Sequence, residues 1–248
     1  MYTLYIGTYT QILPYVNGKG EGIYTLQMDP GSGMLSAPRL AAPATNPSFL
    51  ALDAPLGRLF AVNELESWHG FPGGAVSAFT IQPDGKLKRT NQRLSGGAAP
   101  CYISLEPDGK AVLVANYVTG TVARLTLTPE GALRAPSSVY GHAGSGPDAA
   151  RQEAPHAHSI LVDPSGQWAL AADLGADKLY FYRLAQNQLQ PFGAVHLDPG
   201  SGPRHMAFAP AGDRLYLANE LDSTVACFRF DPASPRLEHV QTVSALPE

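Results

Sequence analysis

A 17-residue unit occurs four times in this chain, and this repeat constrains the fold more than any other feature. The copies cover residues 47–63, 100–116, 157–173 and 203–219. In each copy an apolar alternating run leads into a turn containing Pro and Gly, and a second apolar run follows, which is the pattern of a β-hairpin. Successive copies end 53, 57 and 46 residues apart. This spacing is typical of the four-stranded blades of a β-propeller rather than of helical repeats.

Two further strands are predicted after each hairpin. The third has apolar residues at positions that recur in five segments, such as Val122, Leu125 and Leu127. A turn and a more polar run come next, as expected for an outer edge strand. We therefore predict an all-β propeller of four-stranded antiparallel blades, forming a single domain over 1–248 with blades at about 1–40, 47–95, 100–140, 157–196 and 203–243.

The first predicted blade lacks an inner strand, because LYIGT aligns with the second strand of the other copies. Propellers commonly close by pairing a strand from one end of the chain with the other end. The C-terminal VQTVSALPE supplies only an outer strand. We therefore expect about five blades of an incomplete ring, with C-terminal blades missing if the ring is seven-bladed. A five-bladed ring is the alternative.

The composition disfavours several classes of partner. A net charge of −4 and a pI near 6.0 do not provide the basic surface that nucleic acids or anionic membranes require. The N-terminal MYTLYIGTYT enters a strand directly, without a basic segment and an apolar stretch, so we predict a cytoplasmic protein. Cys101 and Cys227 have no metal or redox spacing. The sequence contains no indication of the oligomeric state.

Polar side chains at the strand ends are the candidates for chemistry. Within a blade, the inner strand begins at the end of the propeller where the second strand finishes. His158 and Arg204 lie at the start of inner strands, and Glu220 lies at the end of a second strand. We therefore expect these three to converge on one mouth of the channel. The long connections 9–21, 64–73 and 141–156 reach the same mouth, where they either wall a pocket or remain solvated.

Arg204 and Glu220 suit acyl chemistry. A guanidinium can hold a carboxylate or phosphate and can stabilise an oxyanion. The alternative for Arg204 is an ion pair with Glu220 that joins neighbouring strands. Glu220 is the candidate general base, and we expect partial burial to raise its pKa toward neutrality. The alternative for Glu220 is an exposed residue at a strand end.

His156 and His158 lie two residues apart and are predicted to share one face of an extended segment, as metal ligands or as an acid/base pair. Zinc requires a third and usually a fourth ligand. The nearby sequence offers none at ligand spacing, so we predict no metal. A hydrogen-bonded structural histidine is the alternative for both.

Long segments of the chain, among them YIGTYT, PHAHSILVDPSGQWALAADLGADKLYFY and GPRHMAFAPAGDRLYLANELDSTV, resemble the propeller lactonase family, which includes the bacterial 6-phosphogluconolactonases of the β-propeller type. The resemblance covers the whole chain. It implies a seven-bladed fold, hydrolysis of a sugar lactone, and neither a metal nor another cofactor. The site residues it implies are His156, His158, Arg204, His205 and Glu220.

The resemblance suggests a mechanism for opening 6-phosphogluconolactone. Arg204 and His205 bind the phosphate or polarise the lactone carbonyl, while Glu220 or His158 deprotonates water and the other protonates the leaving oxygen. His156 and Arg151 are expected to contact the substrate, Arg151 through its phosphate. The alternatives are a muconate-lactonising cyclase of the same family and a non-catalytic propeller that presents a surface to another protein. Clustering of acid, base and cation favours catalysis.

Overall fold

The computed structural model describes residues 1–247, and all regular structure in this range is β-strand. Glu248, the last residue of the predicted domain, lies outside the described residues. The strands are, in chain order, β1 (Tyr2–Gly7), β2 (Ile12–Leu13), β3 (Val16–Asn17), β4 (Gly22–Met28), β5 (Arg39–Pro43), β6 (Leu50–Asp53), β7 (Arg58–Asn63), β8 (Ser67–Trp68), β9 (Phe71–Pro72), β10 (Ala75–Ile81), β11 (Leu87–Leu94), β12 (Pro100–Leu105), β13 (Ala111–Asn116), β14 (Thr121–Leu127), β15 (Leu133–Gly141), β16 (Ala157–Val162), β17 (Trp168–Asp173), β18 (Lys178–Ala185), β19 (Gln188–His196), β20 (Pro203–Phe208), β21 (Arg214–Asn219), β22 (Thr224–Asp231) and β23 (Arg236–Ser244).

Most of the strands form antiparallel sheets that follow each other along the chain. Sheet 1 has three strands, β1-β4-β5, and sheets 2 to 5 have four strands each, in the orders β6-β7-β10-β11, β12-β13-β14-β15, β16-β17-β18-β19 and β20-β21-β22-β23. Two short hairpins, β2-β3 and β8-β9, lie in the connections of sheets 1 and 2. The predicted all-β fold of four-stranded antiparallel sheets is confirmed. Within residues 1–247, no helix could span a membrane.

The core lies between neighbouring sheets. Four apolar clusters join sheet 1 to 2, 2 to 3, 3 to 4 and 4 to 5. Every residue of β7, β13 and β17 is buried, because these strands are covered on both faces. Each fully buried Leu or Phe side chain contributes about 1.5–3 kcal/mol relative to its exposed state. These buried strands pair with the inner strands and hold the ends of the inner strands in fixed positions.

Buried ion pairs link sheets at the turn end of the repeat hairpins. In sheet 2, Asp53 accepts a 2.8 Å hydrogen bond from Arg58 Nε, and the same guanidinium donates to the carbonyl of Gly109 in sheet 3. In sheet 3, Arg124 Nε donates to Glu106 at 2.6 Å, and Arg124 Nη1 donates to the carbonyl of Asn187 in sheet 4. The hydrogen bonds to carbonyls satisfy charges that burial would otherwise penalise.

Candidate active site

At the opposite end of the hairpins, the sheets surround a cavity of about 1150 Å³. The starts of inner strands, the ends of second strands and the long connections form its wall. The titratable or charged side chains that line it include His158, Arg204, His205, Glu220, Arg151 and Glu64. The predicted convergence of residues from separate repeats is therefore present, and three of these residues come from sheet 5.

A repeated β-bulge aims side chains into this cavity. In sheets 3, 4 and 5 the hairpin register shifts by one residue immediately after the first pair of the inner strand. The unpaired residues at these shifts are Cys101, His158 and Arg204. A bulge leaves one residue outside the ladder and redirects its side chain. The same local geometry therefore presents a thiol, an imidazole and a guanidinium to one space.

Glu220 is the centre of the polar network. Its Oε2 accepts a 2.7 Å hydrogen bond from Arg204 Nε, and its Oε1 accepts a 2.5 Å hydrogen bond from Arg151 Nη2. His158 Nε2 lies 3.8 Å from Glu220 Oε2. The ion pair between Arg204 and Glu220 that was an alternative at the sequence level is thus present. The two arginines and one carboxylate leave one positive charge in excess.

The charge state of Glu220 differs from the expectation. Burial acts to raise its pKa, but the hydrogen bond and charge of Arg151, with the charges of His158 and Arg204, lower the pKa below its ordinary value. The prediction of a carboxyl tuned toward neutrality is therefore wrong. Glu220 is a carboxylate held by two cations, and such a group is a weak base.

His158 is a neutral imidazole at pH 7. Its residue is 8% exposed, and burial first, then the charge of Arg204, lowers the pKa of the ring to about 4. On its other side, Nδ1 lies 3.8 Å from the sulfur of Cys101. The pKa of that thiol is raised by burial and by the charge of Glu64, so Cys101 remains protonated and unreactive. His158 is thus a neutral but weakly basic ring that lies beside the carboxylate of Glu220.

His205 lies against the guanidinium of Arg204. Its ring centroid is 5.6 Å from that of Phe49 and 5.3 Å from that of Tyr102, and Arg204 Nη1 lies 3.3 Å from Nδ1 of the ring. Burial and the adjacent guanidinium lower its pKa to about 4. The neutral ring, which contacts Phe49 and Tyr102, packs against the guanidinium of Arg204 and helps to fix its position.

The connection that carries Arg151 is anchored at both ends. Near its start, His142 Nδ1 lies 2.6 Å from Asp173 Oδ2, and Nε2 lies 2.9 Å from the hydroxyl of Tyr182. Beside Arg151, Gln152 Nε2 donates a 2.8 Å hydrogen bond to the carbonyl of Leu174. From this connection Arg151 lines the cavity, and the anchored backbone holds its guanidinium on Glu220.

His156 occupies a different place from His158. It is not among the residues that line the cavity. Its ring stacks on Tyr117 with centroids 4.3 Å apart, and its nitrogens contact the carbonyl of Tyr117 at 3.0 Å and Glu153 Oε1 at 3.1 Å. The bulge at His158 breaks the alternation, so the two histidines do not share one face. His156 supports Tyr117, and we do not retain it as a substrate contact.

The sequence places Glu64 at the end of a second strand, at the same mouth, but sequence reasoning assigned it no role in the site. It lines the cavity from sheet 2 and accepts hydrogen bonds from the hydroxyls of Tyr9 and Tyr15 at 2.9 and 3.0 Å. The signal was available, because Asn-Glu-Leu occurs both at 63–65 and at 219–221, in equivalent positions of two repeats. Among residues 1–247, no group of three or more His, Cys, Asp or Glu could hold a metal ion.

Comparison with known proteins places the chain in a family. Residues 3–248 match the family model described as lactonase, 7-bladed β-propeller. The 6-phosphogluconolactonase of Bacillus subtilis (strain 168) is 35% identical over 100% of this chain and 68% of its own length, and that of Formosa agariphila is 29% identical over 91% of this chain and 63% of its own. The chain thus spans about two thirds of the length of these relatives.

A solved structure agrees with these relatives. The periplasmic gluconolactonase of Pseudomonas aeruginosa superposes with a TM-score of 0.89 at 34% identity, covering 99% of this chain and 69% of that one. The family resemblance inferred from the repeated segments is confirmed. This chain belongs to the lactonase family of seven-bladed β-propellers.

Proposed function

We propose that the protein hydrolyses a sugar lactone, most specifically 6-phosphogluconolactone to 6-phosphogluconate, a step of the pentose phosphate pathway. Two relatives carry the name 6-phosphogluconolactonase, and one structural neighbour is a gluconolactonase. The observation that carries the proposal is the convergence of Arg204, Arg151 and His158 on the carboxylate of Glu220. These groups supply what opening an ester requires: a cation for the carbonyl oxygen, a second cation for the phosphate, and a neutral base.

The two arginines divide the anionic parts of the substrate. Arg204 lies beside His158 and His205, and among the described residues only its Nε atom donates a hydrogen bond to Glu220. We assign Arg204 to the lactone carbonyl, where it stabilises the negative charge that develops on oxygen. Arg151, which donates to the other carboxylate oxygen of Glu220, is assigned to the phosphate.

His158 is assigned to proton transfer. Its neutral ring accepts a proton from the attacking water as the new bond between water oxygen and carbonyl carbon forms. The imidazolium is stabilised by the carboxylate of Glu220, 3.8 Å from Nε2. It then returns the proton to the ring oxygen as the carbon–oxygen bond of the lactone breaks. Such general acid–base catalysis contributes about 10²–10⁴-fold.

Acid release from 6-phosphogluconolactone, followed with a pH indicator in weak buffer, tests the proposal. Purified protein is expected to accelerate release over the spontaneous rate, and Arg204→Ala is expected to remove most of the acceleration. Arg183→Ala removes an exposed guanidinium on β18 and is the matched control, expected to retain it. No acceleration by the unmodified protein contradicts the proposed function.

A non-phosphorylated sugar lactone is the second candidate substrate. The similarity to the gluconolactonase of Pseudomonas aeruginosa supports this candidate, and so does the presence of the Glu64 carboxylate in the same cavity. The ratio of kcat/KM values for 6-phosphogluconolactone and D-glucono-1,5-lactone decides between them. The relatives reported above do not favour the muconate-cyclising alternative. The cytoplasmic location stays a prediction, and the periplasm is the alternative indicated by the Pseudomonas relative.

A further inference from the structure

We propose that Glu64, with Ser48, Tyr9 and Tyr15, forms a second subsite of the cavity that binds the ring hydroxyl groups of the sugar lactone. The inference rests on the proposed lactonase function and identifies the part of the site that selects a polyhydroxylated ring. It concerns sheet 2 and its hairpin connection, whereas the groups assigned to catalysis belong to sheets 4 and 5 and to the connection that carries Arg151.

Glu64 and Glu220 are equivalent positions of the repeat. The backbone N–H of Glu64 donates to the carbonyl of Asn46 at 3.0 Å, and that of Glu220 donates to the carbonyl of Gly202 at 2.8 Å. Two residues after each acceptor comes an equivalent position of the repeat, which is Ser48 in sheet 2 and Arg204 in sheet 5. The repeat therefore puts a serine where the catalytic mouth has a guanidinium.

This exchange leaves Glu64 without a cation. Within residues 1–247, no Lys, Arg or His nitrogen lies within 4.0 Å of its carboxylate, and its hydrogen bonds from side chains come from Tyr9 and Tyr15. Burial and the charge of Glu64 raise the pKa of both phenols, so they remain donors. A carboxylate has about four acceptor positions. After the two phenols, acceptor positions remain for donors within the cavity.

Ser48 provides an independent observation. Ser48 lines the same cavity, whereas its Oγ atom is turned away from solvent and makes no hydrogen bond among the described residues. A buried hydroxyl without a partner is costly, and such groups in native proteins call for an explanation. A rotation of the Ser48 side chain about χ1 to another staggered position would turn this hydroxyl into the cavity, where a sugar hydroxyl held by Glu64 would bind it. Adjacent hydroxyl groups of a sugar ring match this pair.

Tyr9 and Tyr15 add an apolar surface beside these polar groups. Their rings meet edge to face with centroids 6.1 Å apart, and Tyr15 is 66% exposed. The C–H groups of a sugar ring pack favourably on aromatic faces, which combine apolar area with a polar tip. The hairpin of β2 and β3 is thus fixed to Glu64 through the same side chains that would contact the ring.

The chemistry of the lactone fits both ends of the cavity at once. In a 1,5-lactone the ring oxygen joins the carbonyl carbon to the carbon that bears the phosphomethyl group. Carbonyl and phosphate therefore flank one edge of the ring, and the remaining hydroxyl groups lie at the other edge. The excess positive charge beside Glu220 attracts the first edge, and the uncompensated carboxylate of Glu64 repels phosphate while accepting hydrogen bonds from the second.

The substitution Glu64→Gln tests the subsite through substrate preference. We expect the KM for D-glucono-1,5-lactone to rise about tenfold, the loss typical of a hydrogen bond to a charged group. The KM for 6-phosphogluconolactone should rise less, because the same change removes repulsion of the phosphate. The ratio of kcat/KM values should therefore shift several-fold toward the phosphorylated lactone. Glu130→Gln removes an exposed, distant carboxylate and is the control.

A purely structural role for Glu64 gives a different result. If Glu64 only holds the β2-β3 hairpin, the double variant Tyr9→Phe/Tyr15→Phe should lower activity as much as Glu64→Gln, and both lactones should be affected equally. An equal effect of Glu64→Gln on both lactones, which leaves the preference ratio unchanged, overturns the subsite while leaving the lactonase function intact. If the unmodified protein opens neither lactone, the proposed function fails, and calorimetric binding of D-glucose, a neutral ring with the same ring hydroxyl groups, still tests the subsite: weaker binding by Glu64→Gln than by the unmodified protein supports it, and equal binding overturns it.

Discussion

The mouths of sheet 2 and sheet 5 share a backbone but differ in charge. In both, a glutamate at the end of the second strand donates its N–H to the carbonyl that precedes the inner strand. In sheet 5 two guanidinium groups hold Glu220, whereas in sheet 2 two phenols hold Glu64. The repeat thus fixes where a carboxylate lies, and the residue at the equivalent position, Arg204 in sheet 5 and Ser48 in sheet 2, determines whether the inner strand supplies a guanidinium to pair with it.

The largest expected effect is that of Arg204→Ala. Loss of the guanidinium removes the charge assigned to the developing oxyanion and should lower kcat for 6-phosphogluconolactone by about 10²–10³-fold. Steady-state kinetics with a pH indicator measures this, and circular dichroism verifies the fold. A variant whose kcat stays within a factor of about three would remove Arg204 from the chemistry.

Glu220→Gln should have the next largest effect. The amide keeps the shape of the side chain but gives Arg151 and Arg204 no counter-charge and cannot stabilise a protonated His158. We expect kcat/KM to fall by about 10- to 100-fold, the loss associated with a hydrogen bond to a charged group. If the fall appears in KM alone, Glu220 positions the arginines without acting on the proton transfer.

The pH dependence of kcat/KM examines His158. Since burial lowers the pKa of His158 to about 4, the ring stays neutral and able to accept a proton down to that pH. The acid limb of the profile should therefore fall near pH 4. An acid limb between pH 6 and 7 would show that the reacting base is a different group or that the imidazole is solvated.

The same shift has a consequence for stability. An unfolded histidine has a pKa near 6.5. Between pH 6.5 and about 4 the unfolded chain therefore binds more protons than the folded protein at His158 and His205. The free energy of unfolding should be constant above this window and fall as the pH decreases through it. Denaturant unfolding of the protein and of His158→Asn at several pH values measures the difference.

The smallest expected effect is that of Tyr15→Phe in sheet 2. Tyr9 continues to hold Glu64, and Tyr15 is exposed, so the free energy of unfolding should fall by no more than about 1 kcal/mol. The KM for D-glucono-1,5-lactone should rise about twofold at unchanged kcat. A large loss of kcat would mean that the hairpin itself shapes the catalytic mouth.

Periodicity alone was sufficient to predict the hairpins and the convergence of His158, Arg204 and Glu220. Hairpin register follows apolar alternation, and the repeats place their ends together. The bulges were not predictable, because a shift of one residue leaves no mark in composition, and they separate His156 from His158. The lowered pKa of Glu220 was not predictable either, because its second cation, Arg151, lies 69 residues away in the chain.

A side-by-side measurement of kcat for Arg204→Ala and Glu64→Gln at saturating 6-phosphogluconolactone tests most directly whether chemistry and ring recognition belong to different mouths. The account predicts a loss of about 10²-fold or more for Arg204→Ala. For Glu64→Gln it predicts a kcat within about threefold of the unmodified protein, because the subsite acts on binding. Equal losses of kcat in the two variants would contradict this division.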